Sequence, residues 1–520
     1  MSLPHALADR SLHHLLPRPQ MVERTGEGLR LSPAVRAVIP PSPPLRRAAE
    51  RLAALARDEF GLPIDVVEDA RCSARTLWLA PAGEGHAPAA AAPPAEGTSE
   101  AYRLAVSEHG AAVTAPSERG AWWGAMTLWQ LLIAHEGEVY LPGVRIDDEP
   151  HYAWRGFQFD AGRAPHSMAQ MQRIIRICSA FKLNYCIYRE GDDELNAVRY
   201  RGNPLGSRNP HALSLAQVAE LVEYAAGYGV TLVPEIESLG HSGAKGRHYP
   251  DLVAGGIETQ YEGIGTHRRK VHLLPGDPRA LALLEGMYRE WAPLLPSPYL
   301  HLGLDEVLMP AEPQAEHLAR LLEVVERVGR ETGRALRPIV WADAPPTPAA
   351  FRGRVVRCLW SYAEHRDYGA IGVENAHLVR QGIVELSRPG AQEPVLMAGG
   401  SGAKHTPYTK CTAPEAIENL AAWARWGRDL PHCMGLYAVQ WSGNMVDDWL
   451  PDFLAAADVA WRPPEVSLDV DAELARIGER LARLKDYTDP APGEVDSPAW
   501  DGIWLRDREW HEEVVPGDAY

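Results

Sequence analysis

Residues 215–236 read LAQVAELVEYAAGYGVTLVPEI. A helical stretch, Leu215–Tyr228, runs into an apolar, β-branched strand candidate, Thr231–Ile236. The same pair of elements recurs on both sides of it. From Tyr152 onward eight short runs qualify as strands: Gly156–Asp160, Asn184–Tyr188, Thr231–Ile236, Tyr299–Gly303, Pro338–Trp341, Val355–Trp360, Val395–Ala398 and Leu436–Trp441. Helical segments separate them, among them Met168–Phe181, Pro278–Leu294, Ala315–Thr332 and Ala413–Trp426. Eight strand–helix units in roughly 300 residues suit a closed (β/α)8 TIM barrel better than an open sheet. The expected fold is α/β, with the barrel over 151–465.

A small α/β domain is expected before the barrel, over 1–150. It has a helix near Leu45–Phe60, strands at Ile64–Val67 and Thr76–Leu79, and a hairpin of Tyr102–Ser107 with Ala111–Ala115 around His109-Gly110. Ser117 is placed to cap a helix on which Trp122, Met126, Trp129 and Leu132 recur at helical spacing, the pattern of a core face. Gly83–Gly97, rich in Ala, Pro and Gly, reads as a loop. A last helix near Asp471–Lys485 and a Trp- and acid-rich end make up a C-terminal segment over 466–520, expected to pack on the barrel.

The 520 residues are 46% hydrophobic and 23% charged, ordinary for a soluble globular chain. A formal charge of −17 makes nucleic acid or an acidic membrane an unfavourable partner and otherwise serves solubility. The six cysteines lack CxxC spacing, against a zinc cluster or a dense disulfide framework. Met1 to Gln20 has no apolar core of a signal peptide, and no run is long enough to span a membrane, so a cytoplasmic location is expected.

In such a barrel the active site lies at the C-terminal ends of the strands. There the sequence gathers Asp160 and Arg163, then Glu190, Asp192 and Asp193, then Glu235, Glu237 and His241, then Asp305-Glu306. Strands five and six end in Trp341 with Asp343 and in Trp360 with Tyr362; strand seven runs toward His405 and Tyr408, and strand eight toward Trp441 and Asn444. Each has an ordinary reading as well. A single strand-end Trp packs, Glu235 after Pro234 bonds backbone, and His241 after Gly240 is held by a carbonyl. Three tryptophans and many carboxylates at one rim point instead to a sugar site: indole faces stack on a pyranose, and carboxylates bind hydroxyls and move protons. Two adjacent acids after an apolar strand are the sharpest signal. An extended pair points to opposite sides, but a turning chain can aim both into a pocket.

These residues carry a resemblance. The segment 299–306, Tyr-Leu-His-Leu-Gly-Leu-Asp-Glu, resembles the His-x-Gly-Gly-Asp-Glu signature of glycoside hydrolase family 20. Residues 154–160 (WRGFQFD) look like that family's first strand, 182–184 match its second, 233–241 (VPEIESLGH) are similar to its Pro-Glu-Ile-Asp-x-x-Gly-His segment, and 100–104 with 115–132 look like its small α/β domain. The chain departs at Leu304, where the signature has a second Gly, at Tyr188-Arg189-Glu190, and at Asn444, where a Glu is usual. These are features of a divergent branch, and they leave the choice between GlcNAc and GalNAc open.

The resemblance implies an exo-β-N-acetylhexosaminidase that retains configuration through the substrate's own 2-acetamido group. Glu306 would be the general acid and Asp305 the residue orienting the amide. Trp341, Trp360 and Trp441 would wall the sugar, with Tyr362 or Tyr408 near the acetamide. Arg155 and Glu190 would hold ring hydroxyls, Asn444 would join the substrate-binding set, and His241 would support the acid. The partner is an oligosaccharide or glycoconjugate ending in an N-acetylhexosamine. No cofactor and no metal is expected, and the oligomeric state, a homodimer included, is open. Two other readings are a metal-dependent barrel hydrolase using His241, His301, Asp305 and Glu306, and a sugar-binding barrel without catalysis.

Overall fold

Eight parallel strands close on themselves in a computed structural model of the chain. It describes residues 3–31, 35–69, 76–81, 100–163, 166–193, 195–207, 209, 211–254, 258–260, 267–269, 271–307, 309–362, 393–400, 413–430, 432–441 and 446–489. The barrel strands are β1 (Trp154–Asp160), β2 (Tyr185–Arg189), β3 (Thr231–Glu235), β4 (Tyr299–His301), β5 (Arg337–Trp341), β6 (Val356–Trp360), β7 (Val395–Gly400) and β8 (Cys433–Val439). They pair in chain order, and β8 returns to β1. Each lies on one of the runs identified from the sequence, with ends shifted by a few residues. The helices that cover them include α1 (Met168–Ala180), α2 (Leu215–Gly227), α3 (Pro278–Trp291), α4 (Ala311–Thr332), α5 (Ala413–Gly427) and α6 (Val446–Trp461). Local chemistry sets their starts. Ser167 and Ser214 accept the N–H groups of Gln170 and Gln217, and Gln217 reaches back to Ser214 in a capping box.

Alternation along each strand divides the barrel into two packing layers. Ile187, Val233, Ile339, Trp341, Cys358 and Trp360 fill the interior. Phe157, Phe159, Cys186 and Leu232 join the larger core beneath the helices. The last residues of β1 to β6 are Asp160, Arg189, Glu235, His301, Trp341 and Trp360. All six have the inward parity, so six side chains of catalytic or stacking type close one end of the barrel.

The N-terminal residues form a mixed sheet in the order Met21–Leu31, Glu138–Asp148, Tyr102–Ser107, Gly110–Ala115, Leu77–Pro81, Val35–Ile39 and Ile64–Glu68, with helices Pro43–Phe60 and Glu118–Gln130. The hairpin and both helices fall where the sequence places them, and Trp122, Met126, Trp129 and Leu132 are all buried. The long edge strand Met21–Leu31 is not visible in local pattern. Its burial alternates poorly, and it exists by pairing with Glu138–Asp148. The loop read at Gly83–Gly97, the chain end past residue 489, and Cys72 and Cys411 lie outside the described residues. Helix Val470–Leu481 follows the barrel, and its Arg480 donates to the carbonyls of His14 and Gln130 in the N-terminal unit. The four described cysteines, Cys178, Cys186, Cys358 and Cys433, are free. Among the described residues no helix is long and apolar enough to cross a membrane.

Candidate active site

After β4 the chain leaves the extended conformation. Gly303, Leu304 and Glu306 all have positive φ, at 68°, 72° and 50°. A Cβ at Gly303 would stand 2.1 Å from Glu237 Oε2, so glycine is required there by sterics as well as by φ. Leu304 takes the left-handed conformation despite its bulk and buries its side chain. The turn has a direct consequence for the two acids. Asp305 Oδ2 and Glu306 Oε2 both lie 3.5 Å from one atom, His241 Nε2. Neighbours that would diverge on a strand therefore converge.

His241 is itself held from behind. Its Nδ1 is 3.1 Å from Asp192 Oδ1 and 3.2 Å from Asp193 Oδ2. Burial pulls the imidazole pKa down, but the charges of Asp192 and Asp305 outweigh it and hold it well above the usual histidine range. Asp305 shows the reverse balance. Burial would raise its pKa, yet the His241 imidazolium and the Arg189 guanidinium keep it below the usual carboxylate range. Asp305 is thus ionised. Its Oδ1 has no hydrogen-bond partner among the described residues.

Arg189 is the main structural cation of the site. Its Nε and Nη2 donate to Asp192 Oδ2 (3.0 and 2.8 Å), and its Nη1 donates to Glu235 Oε1 (2.5 Å) and lies 2.5 Å from Glu237 Oε1. Asp305 Oδ2 is 4.0 Å from Nη2. Burial disfavours the charged guanidinium, but Glu237 and Glu235 lead the carboxylates that keep it. Glu237 is pushed well above the usual carboxylate range by burial, with Asp305 and Glu235 adding to the shift. Sequence reading did not single out Arg189 as a site residue. Its signal was present, because an arginine on the inward face of an apolar strand cannot reach water and must find anions.

The aromatic box is assembled. Trp341 and Trp441 ring centroids are 5.8 Å apart, Tyr362 and Trp441 6.0 Å, and Trp360 stacks on Tyr362 at 5.5 Å. Trp341 Nε1 donates to Glu235 Oε1 (2.8 Å) and Trp360 Nε1 to Asp343 Oδ1 (3.0 Å). The guanidinium carbons of Arg189 and Arg163 lie 5.2 and 5.1 Å from the Trp441 ring. Glu190, fully buried at the end of β2, is pushed up to about 7 by burial, opposed by the buried ammonium of Lys245. Tyr408 and Asn444 lie outside the described residues.

Arg155 does not belong with this group. It lies at the opposite end of β1 and on the outward parity. Its guanidinium is taken up by Glu100 and by the carbonyls of Lys182 and Tyr152, 5.0 Å from the Trp461 ring. There it joins the N-terminal sheet to the barrel floor. The arginine that reaches the mouth is Arg163, whose Nε is 3.1 Å from Asp192 Oδ2 and 3.6 Å from Asp160 Oδ2. Arg155→Met should strand the buried Glu100 and cost about 3 to 5 kcal/mol of stability, read as a lower urea midpoint. Ligand affinity at the barrel mouth should not move. Weakened affinity at unchanged stability would return Arg155 to the pocket.

Among the described residues two groups of potential metal donors each bring their ligand atoms within 4.8 Å of one another: Asp192, Asp193 and His241 in one, and Glu235, Glu237 and Asp305 in the other. The chain's own cations serve both. Arg163 and Arg189 contact Asp192, and Arg189 faces all three acids of the second group. His301, assigned to the metal reading, turns its Nδ1 to the N–H of Gly303 (3.1 Å) and its ring to Trp341.

Comparison with known proteins gives a consistent answer. The sequence model of the Glycosyl hydrolase family 20 catalytic domain matches residues 152–327, and that of the same family's domain 2 matches residues 12–149. A beta-N-acetylhexosaminidase of Cellulomonas fimi is 27% identical, across 96% of this chain and 95% of that protein. A beta-hexosaminidase of Porphyromonas gingivalis is 31% identical over 228 residues, which are 40% of this chain and 29% of the relative. In fold, the chain resembles the N-acetyl-beta-hexosaminidase of Streptomyces plicatus solved with Thio-NAglucal, with a TM-score of 0.71 at 21% identity, covering 94% of this chain and 98% of that one.

Proposed function

The chain belongs to glycosyl hydrolase family 20, and from that premise we propose that it is an exo-β-N-acetylhexosaminidase in which Asp305 orients the substrate's acetamide and Glu306 is the general acid. The glycoside hydrolase activity on a glycan with a terminal N-acetylhexosamine follows from the family and from its full-length hexosaminidase relative. One observation supports the division of labour most strongly. Asp305 is a buried carboxylate held below the usual carboxylate range by His241 and Arg189, with one oxygen that has no hydrogen-bond partner among the described residues, directly beside a second carboxyl.

An ionised acceptor of this kind suits the N–H of a 2-acetamido group. Aligning the amide brings its oxygen to C1, and as that oxygen attacks, the amide nitrogen gains positive charge that Asp305 stabilises. Glu306 gives its proton to the departing glycosidic oxygen. The oxazolinium ion that forms needs no protein nucleophile, because proximity makes the intramolecular attack effective. Glu306, now a carboxylate, takes a proton from the incoming water, which opens the ring at C1 and restores the β configuration. Glu306 must exist in both protonation states. His241 Nε2 stands 3.5 Å from its Oε2. Trp341, Trp360, Trp441 and Tyr362 supply the stacking walls, and Glu190, with Arg163 in place of Arg155, supplies groups for ring hydroxyls.

Purified protein should release 4-nitrophenol from the β-glycosides of GlcNAc, of GalNAc or of both, and proton NMR should show the β-anomer of the free sugar forming first. Inactivity on both glycosides, or an α-anomer formed first, would overturn the reading.

A further inference from the structure

Asp343 stands two residues beyond the end of β5, 5% exposed, and its carboxylate accepts two hydrogen bonds from different walls of the site. The backbone N–H of Glu306 donates to Oδ2 (2.6 Å), and the indole N–H of Trp360 donates to Oδ1 (3.0 Å). We propose that Asp343 is a positioning residue for the reaction: one carboxylate ties the backbone of the general acid to the indole of Trp360, so the proton donor and the aromatic wall are placed by the same side chain. This rests on the reading of Glu306 as the general acid.

The geometry makes that tie necessary. Glu306 adopts φ +50°, a left-handed conformation that is unfavourable for a non-glycine residue and persists only when its surroundings enforce it. The bond from its N–H to Asp343 is such an enforcement. The site also accepts an electrostatic cost to keep a carboxylate there. Burial pushes Asp343 up to about 7, Asp305 and Glu306 add to this, and the two N–H donors pull it back. A neutral side chain would avoid the cost but could not serve both donors. An asparagine in the same place offers one acceptor and one N–H2 group, so one of the two donors would face another donor. With both oxygens committed, Asp343 acts through Glu306 and Trp360.

The opposed donors give the proposal a specific test. Wild type, Asp343→Asn, Trp360→Phe and the double variant are compared on phenyl and 2,4-dinitrophenyl β-glycosides of the preferred sugar. Misplacing the acid should lower kcat of Asp343→Asn on the phenyl glycoside by roughly 100-fold. The dinitrophenyl glycoside, which needs little proton donation, should lose far less, and KM should change little. In the Trp360→Phe background one of the competing N–H donors is gone and the asparagine oxygen can turn to Glu306. There the same Asp343→Asn change should cost at least several-fold less. Equal loss on the two leaving groups, or an undiminished loss in the Trp360→Phe background, would overturn the proposal. If Asp343→Asn does not fold, Asp343→Glu, which keeps the charge but displaces it by a methylene, carries the leaving-group comparison. A wild type inactive on both glycosides defeats the reading of the reaction, whereas an active wild type with an indifferent Asp343→Asn defeats only the positioning role.

Discussion

Glu306→Gln is expected to reduce kcat on a phenyl β-N-acetylhexosaminide by about 1,000-fold, near 4 kcal/mol of transition-state stabilisation, while the dinitrophenyl glycoside loses far less. The difference follows from what the residue supplies. A phenolate of high pKa cannot leave without a proton, and a dinitrophenolate can. Glutamine keeps the shape and the hydrogen-bonding reach of Glu306, so binding and fold stay near wild type. Water attack in the second step also loses its base, which should slow release of the sugar and let the oxazolinium accumulate when the leaving group is activated. Added azide, a nucleophile that needs no base, should then restore turnover of the dinitrophenyl substrate. Equal losses on both substrates with no azide effect would remove Glu306 from proton transfer.

Asp305→Asn is expected to lower kcat by roughly 100- to 1,000-fold on both substrates alike, because it acts on the nucleophile and not on the leaving group. The buried anion that faces the positively charged amide becomes a neutral group. The clearest readout is inhibition by a thiazoline that mimics the oxazolinium. Its affinity should drop in Asp305→Asn and hold in Glu306→Gln. Unchanged inhibition would take Asp305 away from the acetamide. The acid limb of the wild-type pH profile gives a third measure. His241 and Arg189 hold Asp305 below the usual carboxylate range, so its loss of charge on acidification comes below the region where free aspartates titrate. A limb at ordinary carboxylate pH would belong to another group.

Much of this site is legible without coordinates. The acids stand out because they follow an apolar strand, and the tryptophans because three of them end strands of the same barrel. Parity was also available, and it separates Arg155 from the pocket: Asp160 points inward, so residue 155 of the same strand points outward. The resemblance drew attention to Arg155 because it lies within a recognisable strand, although Arg163, beyond the strand end, is the arginine that reaches the mouth. Arg189 is a different case. Its inward parity can be read from the sequence, but its partners come from the loop after β2, from β3 and from the turn after β4.

Local sequence is enough to set the alternation of helices and strands, the barrel, the N-terminal hairpin and helices, and the placing of Asp305 and Glu306 side by side at a strand end. These depend on local periodicity, caps and motifs, which are properties of neighbouring residues. Tertiary structure alone decided that the pair converges on one imidazole nitrogen, that Arg189 holds Asp305 charged, and that Asp343 links the acid to Trp360. The reason is physical. A left-handed turn at Leu304 and Glu306 is unfavourable for those residues in isolation, and the charges of five or more buried acids are unfavourable separately. Each becomes stable only when the barrel closes and brings donors and cations from distant strands to within hydrogen-bonding reach.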